Sequence, residues 1–69
     1  MPTLVRAVFP GTFDPITLGH EDMLRRACAL FGEVIVAVAM AHHKKTLFTL
    51  DERLAITRQA LADMPKVRV

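Results

Sequence analysis

Residues that could handle phosphate groups are concentrated between Pro10 and His20, just after a short apolar segment. Gly11 has no Cβ, so the backbone there can approach a ligand closely. Thr12 adds a hydroxyl and a backbone N–H. If a helix begins near Leu18, its free N–H groups and the positive end of its dipole face this loop. The pattern predicts a site for nucleotide phosphates at a strand-to-helix junction.

His20 is the candidate catalytic residue of this loop. Thr17 is a good N-cap, which would place His20 at the third position of the helix, near the loop mouth. A histidine N–H there could stabilise oxygens that gain charge while a phosphorus atom becomes five-coordinate. A histidine in a first helical turn is more often structural, and it is the combination with Gly11 and Thr12 that favours chemistry. Cys28 falls on the apolar helix face and offers His20 no nucleophilic partner.

A second candidate is Lys44, which follows the second apolar segment of the chain. The carboxyl ends of parallel strands share one edge of a sheet, so Lys44 would reach the Gly11 loop and present a compact positive charge to a phosphate. Lys45 is expected to point into solvent. His42 and His43 are adjacent and lack a third ligand at usable spacing, so we expect solvated loop residues rather than a metal site.

The first half of the chain predicts a strand followed by a helix. Residues 4–9 are short, apolar and bounded by Pro10-Gly11, which indicates a buried strand and then a loop to Pro15. The helix is expected to stop at Gly32. Its apolar face is predicted from six positions at helical spacing: Met23, Leu24, Ala27, Cys28, Leu30 and Phe31.

The second half predicts another strand and helix. Residues 34–39 are apolar at every position, as expected for a parallel strand covered on both faces. Thr49 and Glu52 form a capping-box pattern that opens a helix ending at Pro65. Arg53 is expected to be structural, and Val67 begins a third strand. The apolar stripe of this helix is predicted from four residues: Leu50, Leu54, Leu61 and Met64.

Composition narrows the class of protein. The 69 residues are 52% hydrophobic with a net charge of +2, a balance that does not indicate a nucleic-acid or membrane surface. Cys28 is the only cysteine, and no signal peptide is apparent, so a reducing cytoplasm is expected. The strand–helix alternation predicts an α/β fold with a doubly wound parallel sheet. A sheet this apolar needs more helices and strands to cover it than 69 residues supply, so we expect the natural chain to continue.

The segment from Phe9 to His20, FPGTFDPITLGH, closely resembles the signature of bacterial phosphopantetheine adenylyltransferases. These enzymes belong to the nucleotidyltransferase superfamily that carries a His-x-Gly-His motif. Thr17 replaces the first histidine, a variant typical of the phosphopantetheine enzymes. A second similar block comprises Lys44, Lys45 and residues 48–53, and the resemblance runs from about residue 4 to 69.

The resemblance implies a β-α-β-α-β portion of a Rossmann-like fold, here residues 1–69 as the N-terminal part of a single domain. It implies adenylyl transfer from ATP to 4′-phosphopantetheine, with Mg²⁺, giving dephospho-coenzyme A and pyrophosphate. Carried over by position, Thr12 contacts both substrates, Phe13 contributes backbone at the ATP site, His20 binds ATP and stabilises the transition state, and Lys44 contacts the substrate phosphate. A homohexamer is also implied.

Two alternatives remain open at this point. A sister enzyme, such as a cytidylyltransferase or a nicotinamide-nucleotide adenylyltransferase, more often has histidine where Thr17 stands. Members of the resembled family are also considerably longer, and their later part supplies a substrate-binding arginine and a serine-rich ATP motif. An inactive nucleotide-binding fragment is therefore the third hypothesis.

Overall fold

The computed structural model describes residues 5–40 and 45–69, which alternate strands with helices as the sequence predicts. All strands are parallel and lie in the order β1-β2-β3, which confirms the α/β class. The elements in chain order are β1 (Arg6–Gly11), α1 (Leu18–Leu30), β2 (Glu33–Val38), α2 (Leu50–Ala60) and β3 (Val67–Arg68).

Strand β1 extends further than the Pro10-Gly11 pair suggests. It pairs with β2 up to the register position Gly11↔Val38, so the loop begins at Thr12. The predicted start at Leu4 lies outside the described residues. β2 spans Glu33–Val38, one residue earlier at each end than predicted.

The expected covering of β2 on both faces is wrong for the described part of the chain. Val34 and Val36 are fully buried, whereas Ala37 is exposed and Val8 of β1 is 63% exposed. The strands follow one another in a single direction across the sheet, so right-handed crossovers place α1 and α2 on the same face. The other face carries no described helix.

Helix α1 begins at the predicted cap, Thr17, and ends at Leu30 with Phe31 as its C-cap, one residue before Gly32. Its apolar face is narrower than predicted. Leu24 is fully buried, but Met23 is 57% exposed and Leu30 is 78% exposed. A helix lying on one sheet face buries only the stripe at i, i+3, i+4 and i+7. That stripe comprises Leu24, Ala27, Cys28 and Phe31.

Helix α2 opens at Thr49 with the predicted capping box to Glu52. It ends at Ala60 and a turn follows, so the predicted run to Pro65 is wrong. Leu61 and Met64 are buried, as the apolar stripe indicates, but beyond the helix. Leu50 and Leu54 are only half-buried. The fully buried positions inside α2 are polar: Arg53 and Thr57.

One apolar cluster lies between the sheet and the two helices. It comprises Phe13, Leu24, Val34, Val36, Leu61 and Met64. Phe13 belongs to the β1–α1 loop, so that loop is anchored in the core rather than lying on the surface. Among the described helices, neither is long and apolar enough to cross a membrane.

Candidate functional site

The N-terminus of α1 holds His20 in one orientation. The Thr17 backbone N–H donates to His20 Nδ1 at 3.0 Å, and the Thr17 hydroxyl lies 3.1 Å from the same atom. The His20 N–H returns a bond to Thr17 Oγ1 at 3.3 Å, so the two residues form a reciprocal capping box. Since Nδ1 accepts, the proton of the neutral ring lies on Nε2. The ring therefore keeps Nε2–H as its donor.

The ring of Phe13 packs against the ring of His20. The Phe13 side chain is buried, and its ring meets the His20 ring edge-on, with centroids 5.0 Å apart and planes at 67°. The ring of Phe9 also packs against the Phe13 ring, with centroids 6.0 Å apart. The backbone φ of Phe13 is 50°, a conformation that residues with a Cβ rarely adopt. Burial of the aromatic ring offsets this strain and fixes the loop conformation.

Gly11 is required by this aromatic packing. A Cβ on Gly11 would lie 3.0 and 3.1 Å from two carbons of the Phe13 ring, closer than ordinary van der Waals contact. The sequence predicts that this glycine permits close approach to a ligand. In the structure the group that approaches it is Phe13, so one role of Gly11 is to admit the side chain that supports His20.

Arg53 joins the segments that form the carboxyl edge of the sheet. It is 1% exposed, and its guanidinium donates to backbone carbonyls of four residues. Nη1 donates to the carbonyls of Thr12 at 3.0 Å and Ala39 at 2.6 Å. Nη2 reaches the carbonyl of Met40 at 3.4 Å, and Nε that of Phe48 at 3.2 Å. One side chain thus ties the β1–α1 loop to the end of β2 and to the segment before α2.

Asp14 makes a second link between the same loops. Its two carboxylate oxygens accept hydrogen bonds from the backbone N–H groups of Leu47 at 2.6 Å and Phe48 at 2.9 Å. The sequence predicts only a loop up to Pro15 here and does not indicate this role of Asp14. For Asp14 the sequence contains no signal of this role. For Arg53 it contains one, because Arg53 lies at i, i+4 spacing with Thr57 and Leu61, on a helix face where a surface arginine would not be expected.

The structure brings three of the four predicted site residues to one edge of the sheet. Thr12 and Phe13 form the loop, and His20 stands in the first turn of the helix behind it. Thr12 is half-buried. Lys44, His42 and His43 lie outside the described residues.

No metal centre is evident in the part of the chain that the structure describes. It contains no group of three or more histidine, cysteine, aspartate or glutamate side chains that could hold an ion. Lys45, expected to lie in solvent, is exposed.

A parallel sheet whose strands are connected by helices, with a loop–helix junction at its carboxyl edge, defines a Rossmann-like α/β protein. Residues 8–69 match the cytidylyltransferase-like family, and the chain belongs to that family. The chain is 74% identical over 65 residues to a phosphopantetheine adenylyltransferase of Acidovorax sp. (strain JS42), covering 94% of this chain and 39% of that protein. It is 59% identical over 66 residues to the enzyme of the same name from Thiobacillus denitrificans, covering 96% and 41%.

These comparisons confirm the resemblance that the segment from Phe9 to His20 predicts. The chain spans about two fifths of the length of the curated relatives it matches.

Proposed function

We propose that this chain is the N-terminal part of a single nucleotidyltransferase domain that transfers the adenylyl group of ATP to 4′-phosphopantetheine. The products are dephospho-coenzyme A and pyrophosphate, and the reaction is a step of coenzyme A synthesis. The observation that carries the proposal is His20, held by Thr17 with Nε2–H as its donor beside a helix N-terminus. The names of the relatives at 74% and 59% identity support the choice of substrates.

In this reaction an oxygen of the phosphopantetheine phosphate forms a bond to the α-phosphorus of ATP. The bond from that phosphorus to the bridging oxygen of the β-phosphate breaks, and pyrophosphate leaves. Negative charge grows on the oxygens around the phosphorus during this exchange. Nε2–H of His20 and the free N–H groups of the first turn of α1 are donors of the kind that stabilise this charge. No covalent intermediate with the protein is required.

The remaining site residues have binding roles in this proposal. Thr12 contacts both ATP and the phosphate of phosphopantetheine, and Phe13 contributes its backbone to the ATP site. Lys44 binds the phosphate of phosphopantetheine as a point charge. Mg²⁺ usually keeps several waters and is bound through substrate phosphates with one or two carboxylates. We therefore propose that Mg²⁺ enters with ATP as part of the substrate.

The test is pyrophosphate release by the protein expressed from its complete natural reading frame, with ATP, Mg²⁺ and phosphopantetheine. Release with this pair is expected, and none with CTP and a phosphorylated alcohol or with ATP and nicotinamide mononucleotide. Activity only with one of the latter pairs would assign the protein to a sister enzyme of the cytidylyltransferase-like family. Absence of release with every pair would favour a nucleotide-binding protein without catalysis.

Lys44 can be tested against its neighbour. Lys44→Ala is expected to raise the KM for phosphopantetheine about tenfold or more, because it removes a charged contact to the phosphate. Lys45→Ala is the matched control, since it removes the same charge from an exposed neighbouring position and should leave KM within twofold. Equal effects of the two substitutions would contradict a specific role for Lys44.

The working form of the protein is proposed to be a cytoplasmic homohexamer that acts without nucleic acid or membrane. Light scattering on the purified protein would measure its mass in solution. A monomeric mass at micromolar concentration would contradict the hexamer without affecting the proposed reaction.

A further inference from the structure

The four carbonyl contacts of Arg53 join segments far apart in the chain. Arg53 itself lies in the first turn of α2, while its partners are Thr12, residues 39–40 and Phe48. The contact with Thr12 spans 41 residues of sequence. A guanidinium has five N–H donors in a rigid planar fork, and no other side chain can hold several carbonyls in fixed relative positions in this way. The geometry of the loop at Thr12 therefore depends on Arg53.

The guanidinium is bound by carbonyl groups and forms no ion pair among the described residues. Within residues 5–40 and 45–69, no carboxylate forms an ion pair with Arg53, although the side chain is 1% exposed. All four of its bonds go to neutral carbonyls. A buried charge without a counter-charge is costly for the fold, and an anion bound nearby reduces that cost. Thr12, whose carbonyl Arg53 holds at 3.0 Å, is the predicted phosphate contact.

We propose that Arg53 is a positioning residue for phosphate binding, which sets the Thr12 loop in the conformation that receives ATP and places beside it a positive charge that no ion pair among the described residues neutralises. The inference rests on the proposed function, since it takes ATP as the ligand of the loop. Arg53 acts through the Thr12 backbone and through its charge, and it does not contact the reacting atoms. The loss of Arg53 therefore weakens nucleotide and pyrophosphate binding more than it slows the chemical step.

The test compares two Arg53 variants with a control of similar stability cost. Arg53→Gln removes the charge and most of the fork, and Arg53→Lys keeps the charge but replaces the fork by a single ammonium. Leu61→Ala removes a buried core side chain at the C-cap of α2, outside the β1–α1 loop. All are made in the protein expressed from its complete natural reading frame. Unfolding free energies are measured first, and binding is measured at a temperature at which each variant is folded.

Binding of ATP and of inorganic pyrophosphate is measured by calorimetry. Arg53→Gln is expected to raise the Kd of ATP and of pyrophosphate about tenfold or more, because the loss of one charge-assisted hydrogen bond corresponds to a factor of this size. Arg53→Lys should raise these Kd values about threefold or more, because one ammonium cannot reproduce the four contacts. Leu61→Ala should bind as the natural protein does. In steady state, the KM for ATP should rise by a larger factor than kcat falls.

The inference is overturned if either folded Arg53 variant binds ATP as tightly as Leu61→Ala, because Arg53 would then be structural only. If Arg53→Gln does not fold, Arg53→Lys decides by the same comparison. Turnover by the natural protein tests the proposed function separately. A protein that binds pyrophosphate through Arg53 but lacks adenylyl transfer would retain this inference and lose the proposed function. If the Arg53→Lys and Arg53→Gln variants both turn over as the natural protein does, the proposed function would stand and this inference would be lost.

Discussion

His20→Asn separates the two roles that the structure gives to the His20 ring. The Asn carbonyl oxygen lies the same number of bonds from Cα as Nδ1, so it can accept the Thr17 N–H that Nδ1 accepts at 3.0 Å. Asn has no atom at the position of Nε2. The substitution therefore keeps the capping contact and removes the donor proposed to face the phosphates. His20→Ala removes both, and comparison of the two variants isolates the donor.

The expected magnitudes follow from the contacts of the ring. A neutral hydrogen bond contributes about 0.5–1.5 kcal/mol, and an edge-on aromatic pair such as that with Phe13 contributes about 0.5–1.5 kcal/mol. His20→Asn, which loses the aromatic pair, should thus lower the free energy of unfolding by about 0.5–1.5 kcal/mol, and His20→Ala, which loses both contacts, by about 1–3 kcal/mol. Loss of one preorganised donor to a developing oxyanion lowers kcat by about 10²–10³-fold, and both variants should show this loss.

Urea unfolding and pyrophosphate release measure the two effects independently. Both should be recorded for each variant in the protein expressed from its complete natural reading frame. If His20→Asn turned over within tenfold of the natural protein, Nε2 of His20 would have no catalytic role and the proposed mechanism would be wrong. Equal stability of the Asn and Ala variants would instead show that the contact with Thr17 does not support the helix.

Three further substitutions test the support of the site by urea unfolding. Asp14→Asn should lower the free energy of unfolding by about 1–2 kcal/mol, because an NH₂ group would replace one of the two oxygens that accept backbone N–H bonds. Unchanged stability would contradict these hydrogen bonds. Thr57→Val should be neutral or stabilising by up to about 1 kcal/mol, because the Thr57 hydroxyl is buried without a hydrogen-bond partner among the described residues, and a marked loss would reveal one. Gly11→Ala should cost about 1–3 kcal/mol and disturb the Phe13 ring, and unchanged stability would show that the ring moves freely.

Much of the fold follows from local patterns in the sequence. The caps at Thr17 and Thr49 are short-range hydrogen-bond motifs, and both helices begin where these motifs predict. The helix ends are less well predicted. α2 ends at Ala60 although Pro65 is the first strong stop signal, because the chain turns there to bring Leu61 and Met64 into the core. Such a tertiary requirement leaves no local signal.

Some features of the candidate site are likewise predictable from local sequence, and others depend on long-range contacts. The loop at Thr12 and the position of His20 follow from the order of residues along a strand–loop–helix segment. The contributions of Asp14 and Arg53 arise from contacts across 33 to 41 residues, and no local pattern encodes such pairing. The narrow apolar face of α1 was also missed, because periodicity shows which residues are apolar and not how many the neighbouring sheet can cover. Met23 and Leu30 are the examples.

The long sequence separation between Thr12 and Arg53 has a consequence for folding order. A contact across 41 residues forms only after the intervening chain has closed, which is entropically unfavourable and slow compared with forming a helix. Helix α1 can form from local interactions and β1 can pair with β2 once α1 has formed, but the loop between β1 and α1 acquires its final geometry when α2 docks. We therefore expect the phosphate loop to become ordered late in folding, together with the first turn of α2, and to lose its order first when that turn unfolds.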